Sequence, residues 1–477
     1  MNRLVIIGAG PAGLSAATEA LRFGVSPVVL EADPSKLGGL SQTADYKGYR
    51  FDIGGHRFFS KNGDIERLWS DWLGQDMLQV PRCSRIYYGG KFYDYPLRAS
   101  NALANLGILE ALRCLASYAY SKIRPRTPVV SFEDWVSNQF GHRLYSIFFR
   151  TYTEKVWGMK CDQISADWAA QRIKGLSLWT AALSALGFKS GGQIKTLIEC
   201  FRYPRLGPGQ MWESAAQKVR DAEGQILMGR RTHKIHWDAR GVYRIEAGHE
   251  HFETENVIST MPMRELLEAL DPPPPDPVLR AAQALRYRDF LTVVLIVKDR
   301  DLFQDNWIYI HDPSVKVGRV QNYKNWSPEM VPDPGTTALG LEYFCFEGDG
   351  LWTASENELL ELARQEICQL GLVQSLDILD GTVVRMKKAY PVYDHTYQAN
   401  LEVLRKFLDT HLPNFQVAGR NGMHRYNNQD HAMLTGILAT RNLLGQAGYN
   451  LWNVNGDAEY LEEDRGQGGR AVPQSIS

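Results

Sequence analysis

The sequence predicts an α/β fold, in which a discontinuous parallel-sheet domain carries one helical insertion and one antiparallel-sheet insertion. Three patterns in the 477 residues predict it. An apolar strand, a glycine-rich turn and a helix start follow one another from Leu4 to Ala17. A leucine-, alanine- and aromatic-rich helical pattern fills about 100–200. Strand-like stretches return at 226–260, 290–345 and 380–393. The parallel-sheet domain is then assembled from 1–99, 205–285 and 395–462. The helical domain takes 100–204 and the antiparallel sheet domain 286–394, with a charged, then glycine-rich, disordered tail at 463–477.

The first element is the most informative. Gly8, Gly10 and Gly13 form a GxGxxG fingerprint after a buried strand and before a helix, the context of a Rossmann-type dinucleotide site. Gly8 permits the turn, Gly10 lets the backbone approach a pyrophosphate, and Gly13 lets helix and strand pack closely. The helix N-terminus offers free N–H groups to phosphate. The second strand, Pro27-Val-Val-Leu, ends at Glu31, 21 residues after Gly10. An acid there suits ribose hydroxyls and repels a 2′-phosphate. Gly38-Gly39 follow. They make an ordinary turn signal, and they also resemble the glycine pair after the second strand in the FAD-binding glutathione-reductase and amine-oxidase superfamily. Together with the fingerprint they point to FAD rather than NAD.

Further along, 85–98 reads as a hairpin turning at Gly89-Gly90. A strand meets a proline stop at Val257–Pro262, and Asp271–Pro277 is a stiff proline connector. A helix is expected at about 355–371 and a last one after Asp430.

Composition narrows the function. A net charge of −1 leaves no basic footprint, which excludes a nucleic-acid partner. The six cysteines form no CxxC pair and show no metal-ligand spacing, so they read as reduced thiols of a cytoplasmic protein without a metal site. No secretory signal precedes the first strand. No uncharged run of 18 apolar residues is present, so no transmembrane segment is expected, and the apolar helix near 102–123 carries Glu110 and Arg113.

Three segments resemble the UDP-galactopyranose mutases of that flavoprotein superfamily. They are Phe51-Asp-Ile-Gly-Gly-His-Arg-Phe-Phe-Ser60, Phe148-Phe-Arg-Thr-Tyr-Thr-Glu-Lys-Val-Trp-Gly158, and Gly419-Arg-Asn-Gly-Met-His-Arg-Tyr-Asn-Asn-Gln-Asp430. The resemblance implies an isomerase that uses reduced FAD without net redox. In such enzymes flavin N5 attacks the anomeric carbon, UDP departs from a covalent N5–sugar adduct, and the ring recloses from pyranose to furanose. It implies that Phe148, Tyr152 and Trp157 line the uridine site, although their spacing equally suits the core face of a helix. Arg172 and Tyr426 then contact substrate phosphate, and Gly55 and His56 flank the flavin, where His56 either tunes N5 or packs. Gly419 and Arg420 lie near the FAD pyrophosphate. Asp430 caps the last helix beside the flavin. Implied partners are a UDP-linked sugar nucleotide, a reductant such as NAD(P)H or a reductase, and a second copy in a homodimer.

The match also breaks. Phe59 stands where bacterial mutases have a second histidine. Asn428 stands where a carboxylate is expected, so a substrate role there loses its anion. The family strand "YTR..E" places Leu339 at the arginine position before Glu342, leaving Arg319 as the replacement. The 173–192 stretch is more apolar than a sugar-nucleotide lid requires. Two alternatives stay open: an FAD-dependent oxidoreductase of amine-oxidase, protoporphyrinogen-oxidase or carotenoid-desaturase type acting on an apolar substrate, and a catalytically inert FAD-binding protein.

Overall fold

The computed structural model describes residues 3–95, 99–166 and 199–455. The expectations for Arg172, for 173–192 and for the tail at 463–477 lie outside the described residues.

Leu4–Ile7 lies at the centre of a five-stranded parallel sheet, in the order Phe415–Val417, Asn256–Ser259, Leu4–Ile7, Val28–Leu30, Gln225–Leu227. All four of its residues are buried. An unbroken apolar strand is what a parallel sheet covered on both faces selects. The helix Pro11–Arg22 packs against Gln429–Gly445 and Gly209–Asp221. Buried Glu19 ties two of these helices together through Arg441 at 2.7 Å.

A four-stranded sheet follows, in the order Glu250–Glu253, Gly241–Ala247, Thr232–Asp238, Leu270–Asp271. The proline run leaves its edge at Asp271. It ends earlier than the sequence suggests, because Asp276 and Pro277 already form the first turn of helix Asp276–Ala284. Proline is tolerated there, where its missing N–H would have had no partner.

The third sheet has seven strands, in the order Ile378–Pro391, Tyr287–Lys298, Thr336–Cys345, Arg319–Asn322, Trp307–Ile310, Ser84–Tyr88, Lys91–Asp94. Helix Glu356–Gln369 covers part of it, started by a Ser355/Glu358 capping box. The hairpin turns at Gly89-Gly90 as expected. Its allegiance differs from the 1–99 assignment, because Ser84–Tyr88 pairs parallel with Trp307–Ile310 and extends this sheet. The sheet is therefore mixed rather than purely antiparallel. The physical reason is an open edge at Trp307–Ile310, which the hairpin satisfies. Likewise Cys200–Pro204, inside the range expected to be helical, is a strand paired with Met77–Pro81.

Helices Ala99–Leu106, Ile108–Ile123 and Phe132–Phe140 lead to a wide π turn at Ser146–Arg150 and to helix Thr151–Trp157. Ile86 and Tyr93 of the hairpin join the apolar core of this layer. The layer thus packs on the seven-stranded sheet at the end that carries Tyr309 and Tyr390.

Candidate active site

The fingerprint glycines meet at the C-terminal end of Leu4–Ile7. A Cβ on Gly13 would fall well inside contact distance of the Gly8 carbonyl oxygen, and 3.3 Å from Ile6 Cγ2. Only glycine allows this approach of helix to strand. Gly10 differs. Its φ of −83° is ordinary, and the nearest atoms to a Cβ there are Gly38 O at 3.8 Å and Gly39 Cα at 3.9 Å. Gly10 thus faces the Gly38-Gly39 backbone with no side chain between them. Gly38 N–H donates to Ala9 O at 3.0 Å and fixes the far wall. Gly419 closes a third side, since its Cβ would lie 3.1 Å from Ala12 Cβ. The first helix starts at this point with no side-chain cap, so its N-terminal N–H groups remain for a ligand.

Glu31 stands beside the cradle. It accepts from Ala9 N–H at 2.7 Å and Asp33 N–H at 2.9 Å, and burial raises its carboxyl above the usual range. An acid at the end of the second strand and a glycine-walled turn at a helix N-terminus fit the ribose and pyrophosphate of a dinucleotide.

Gly55 and His56 link this cradle to the seven-stranded sheet. Their loop follows Asp52, which is fully buried. Asp52 accepts from Tyr203 Oη at 2.6 Å through its carboxylate and from Tyr323 Oη at 2.8 Å through its carbonyl. A Cβ on Gly55 would sit 3.4 Å from the Gln321 amide and 3.6 Å from Arg319 Nη1. The loop therefore lies over the strand that carries Arg319.

Arg319 is opposite Glu342 in register, and its Nε donates to Glu342 Oε2 at 2.5 Å. Gln321 donates to the other carboxylate oxygen. Glu342 has no solvent exposure. Burial raises its carboxyl, which Arg319 opposes. Burial would lower the guanidinium, but Glu342 and neighbouring tyrosines outweigh this and hold it well above its usual value. Leu339 lies three residues before Glu342 and therefore on the opposite face, in the apolar core. The cation next to Glu342 thus comes from the adjacent strand.

Aromatic rings surround this pair. Tyr152 stacks on His311 at 4.7 Å and meets Tyr309 edge-on at 5.5 Å. Tyr390 stacks on Tyr426 at 5.4 Å, and the Arg420 guanidinium lies 4.6 Å from the Tyr426 ring centre. Arg420 is anchored by donation to Asn427 O at 2.9 Å and Ala389 O at 3.0 Å. Trp157 stacks on Tyr393 at 6.4 Å and is buried, whereas Phe148 packs edge-on against Tyr93 at 5.1 Å within the helical core. Of the three aromatics singled out in that motif, Tyr152 reaches the Arg319 surroundings directly and Trp157 meets them edge-on at Tyr390, 6.4 Å away, whereas Phe148 stays in the helical core.

Two further arginines were not singled out from the sequence. The Arg57 and Arg82 guanidinium carbons lie 5.0 and 5.6 Å from the Trp307 ring centre, and Arg82 also faces Tyr95 at 5.2 Å. The buried Arg82 Nε has no hydrogen-bond partner. Tyr95 contacts Tyr309 at 5.0 Å, so this cationic wall continues to Arg319. Arg57 lies inside the quoted segment Phe51–Ser60 and was within reach of sequence reading. Arg82 was not.

Asp430 is not the cap of the last helix. Asn428 occupies the N-cap position, and Asp430 sits in the first turn, accepting from Ser60 Oγ at 3.0 Å. Asn428 N–H donates to His431 Nδ1 at 3.4 Å. An amide caps as well as a carboxylate does, so either residue satisfied the sequence pattern.

His56 is the clearest electrostatic correction. Burial first, then Arg420 and Arg319, push its pKa down to about 3, so it is neutral rather than poised near pH 7. Burial likewise lowers His311 to about 3 and His424 to about 4. A folded state that rejects protons gains stability that is complete above the unfolded histidine value of about 6.5 and is lost as pH falls toward 3–4. Asp52, Glu342 and Glu31, raised by burial, act in the opposite sense. The imidazole NMR signals of these three histidines are expected to stay flat between about pH 5 and 8. A midpoint near 6.5 at His56 would show that it is solvated.

A family model described as flavin containing amine oxidoreductase matches residues 11–444. A solved structure of reduced UDP-galactopyranose mutase is 25% identical, covers 95% of this chain and 99% of its own, and superposes with a TM-score of 0.82. A structure from Exiguobacterium sp. 255-15, provisionally assigned to protoporphyrinogen oxidase, is 17% identical with 93% and 98% coverage and a TM-score of 0.70. Cyclohexylamine oxidase from Brevibacterium oxydans IH-35A is 14% identical with 94% and 100% coverage and a TM-score of 0.66. No curated protein matches the sequence.

Proposed function

The chain belongs to the flavin-containing amine oxidoreductase family, and from that premise we propose that it is a mutase interconverting the pyranose and furanose forms of a nucleotide-linked sugar. The observation that carries this reading is the buried Arg319–Glu342 pair among Tyr152, Tyr309 and Tyr390, beneath the loop that bears Gly55 and His56. A flavin family implies FAD, and the cradle of Gly10, Gly38, Gly39, Gly419 and Glu31 suits it. Reduced FAD supplies a nucleophilic nitrogen with no net redox change.

The chain's own residues supply the rest. Loss of UDP develops charge on a pyrophosphate, which needs fixed cationic donors. Arg319 spends Nε on Glu342 and keeps its terminal nitrogens, one of them beside Gly55. Because Glu342 sets the orientation of the guanidinium, little reorganisation is needed when a phosphate arrives. Arg82 and Arg57 continue the cationic wall along Trp307. Tyr152 and His311 offer a neutral stacked surface that suits a nucleobase. His56, held neutral, can accept a hydrogen bond on Nδ1, which is buried without a partner.

The second reading is an FAD-dependent oxidoreductase, favoured by the family itself. Four arginines at this site oppose a cationic amine substrate, which directs that reading to an apolar or anionic substrate.

UDP-galactose incubated anaerobically with dithionite-reduced protein, then chromatographed beside an oxidised control, tests the proposal. A furanose product only in the reduced sample is expected. With no product from any UDP-sugar, and with flavin reduced by an apolar donor, the oxidoreductase reading would replace it. Arg82→Met is expected to weaken UDP binding about ten- to a hundredfold while leaving flavin content unchanged.

A further inference from the structure

Helix Ile108–Ile123 presents an apolar face to solvent. Ile108, Leu109, Leu112, Leu115, Tyr120 and Ile123 are 82, 66, 57, 50, 61 and 78% exposed. At 100° per residue these six fall in an arc of roughly 140°, and the small residues Ala116 and Ala119 fill it. Buried Ser121 lies on the opposite side, and buried Ala111 just beyond the Lys122 border. Scattered exposed apolar side chains need no explanation, but a continuous stripe of this length marks an interaction surface.

We propose that this stripe seats the protein on an anionic lipid surface. The charges along its borders argue for that occupant. Residues 108–126 contain four basic side chains and one acidic one, in a chain whose net charge is −1; Arg126 is paired with Glu133 and Asp134, which leaves Arg113, Lys122 and Arg124 to face a partner. Lys122 borders the arc on one side and Arg113 on the other. Lys122 Nζ donates to the neutral Asn138 carbonyl at 3.0 Å and so keeps its charge uncompensated. Arg113 and Arg143 share the single Glu110, which leaves that cluster net positive. Arg113, Ser117, His142, Arg143 and Ser146 line a groove of about 360 Å3 along this border. Guanidinium, imidazole and hydroxyl groups are the donors that a phosphate headgroup requires.

A second copy of the chain is a poorer occupant, because a two-fold contact on the stripe would bring the basic borders together. The helix has 16 residues, and no helix among the described residues is long and apolar enough to cross a membrane. The stripe would therefore lie in the interfacial plane with its basic residues at headgroup level. Tyr120, on the edge of the arc, suits that boundary.

The test is co-sedimentation of the full chain with vesicles of phosphatidylglycerol mixed with phosphatidylcholine, and with phosphatidylcholine alone. Binding to the anionic vesicles is expected, weakened by salt. The Leu112→Glu/Ile123→Glu double variant is expected to bind at least about tenfold more weakly. Its unfolding temperature should be unchanged, because both side chains already face solvent. Lys122→Glu should lower anionic-vesicle binding and leave weak phosphatidylcholine binding as it was. Absence of binding by the unmodified chain, or equal binding by the double variant, would overturn the proposal. A dimer in solution that the double variant converts to monomer would overturn it in favour of a second copy.

Discussion

Arg319→Ala is expected to destabilise the protein by about 3–5 kcal/mol and to abolish binding of a phosphate-bearing substrate. The size follows from Glu342, which has no solvent exposure and would keep only the Gln321 amide as a partner. Losing one member of a buried pair leaves an uncompensated charge, which costs more than the intact pair contributes. Glu342 is then expected to hold its proton to higher pH than in the unmodified chain, since burial already raises its carboxyl and Arg319 no longer opposes this. Urea unfolding of Arg319→Ala beside Arg319→Leu/Glu342→Leu separates the two effects. The double variant should regain most of the stability, because neither charge remains to be solvated, while substrate binding stays lost. Near-normal stability of Arg319→Ala would mean that water reaches Glu342.

The second large effect is a contrast between two glycines. Gly13→Ala is expected to lose both stability and flavin, because its methyl group collides with the Gly8 backbone, which cannot rotate away as a side chain can. Gly10→Ala is expected to keep the fold and lose the flavin. Its methyl would stand 3.8 Å from its nearest neighbour, an ordinary contact, yet it fills the space a pyrophosphate needs. Flavin absorbance after denaturation, alongside thermal unfolding, distinguishes the outcomes. A Gly10→Ala protein carrying full flavin would place the phosphates elsewhere.

These glycines were legible in the sequence because their reason is local. Strand, turn and helix are neighbours in the chain, and the spacing 8, 10, 13 encodes the geometry directly. Arg319 was reachable only as a substitute for an absent residue. Its partnership with Glu342 is a register between two successive strands separated by a long irregular connection, 323–335, and no short pattern records it. Arg82 is further removed, since it meets Trp307 only after the hairpin Ser84–Tyr88 crosses to the other sheet. The His56 motif was visible but its charge state was not. Two guanidiniums from distant segments and the loss of solvent set its pKa, and both exist only in the folded chain. The choice of Asn428 over Asp430 as cap is a two-residue matter that composition leaves open.

Asp52 has a mechanical consequence. Its carbonyl is bonded to Tyr323, in the turn that follows strand Arg319–Asn322 of the seven-stranded sheet, and its carboxylate to Tyr203, in the strand paired with Met77–Pro81. Gly340 leaves room for the Tyr323 ring, so the knot is sterically as well as electrostatically locked. The loop that bears Gly55 and His56 is therefore pinned from two sides where it begins, which holds it over the strand that carries Arg319.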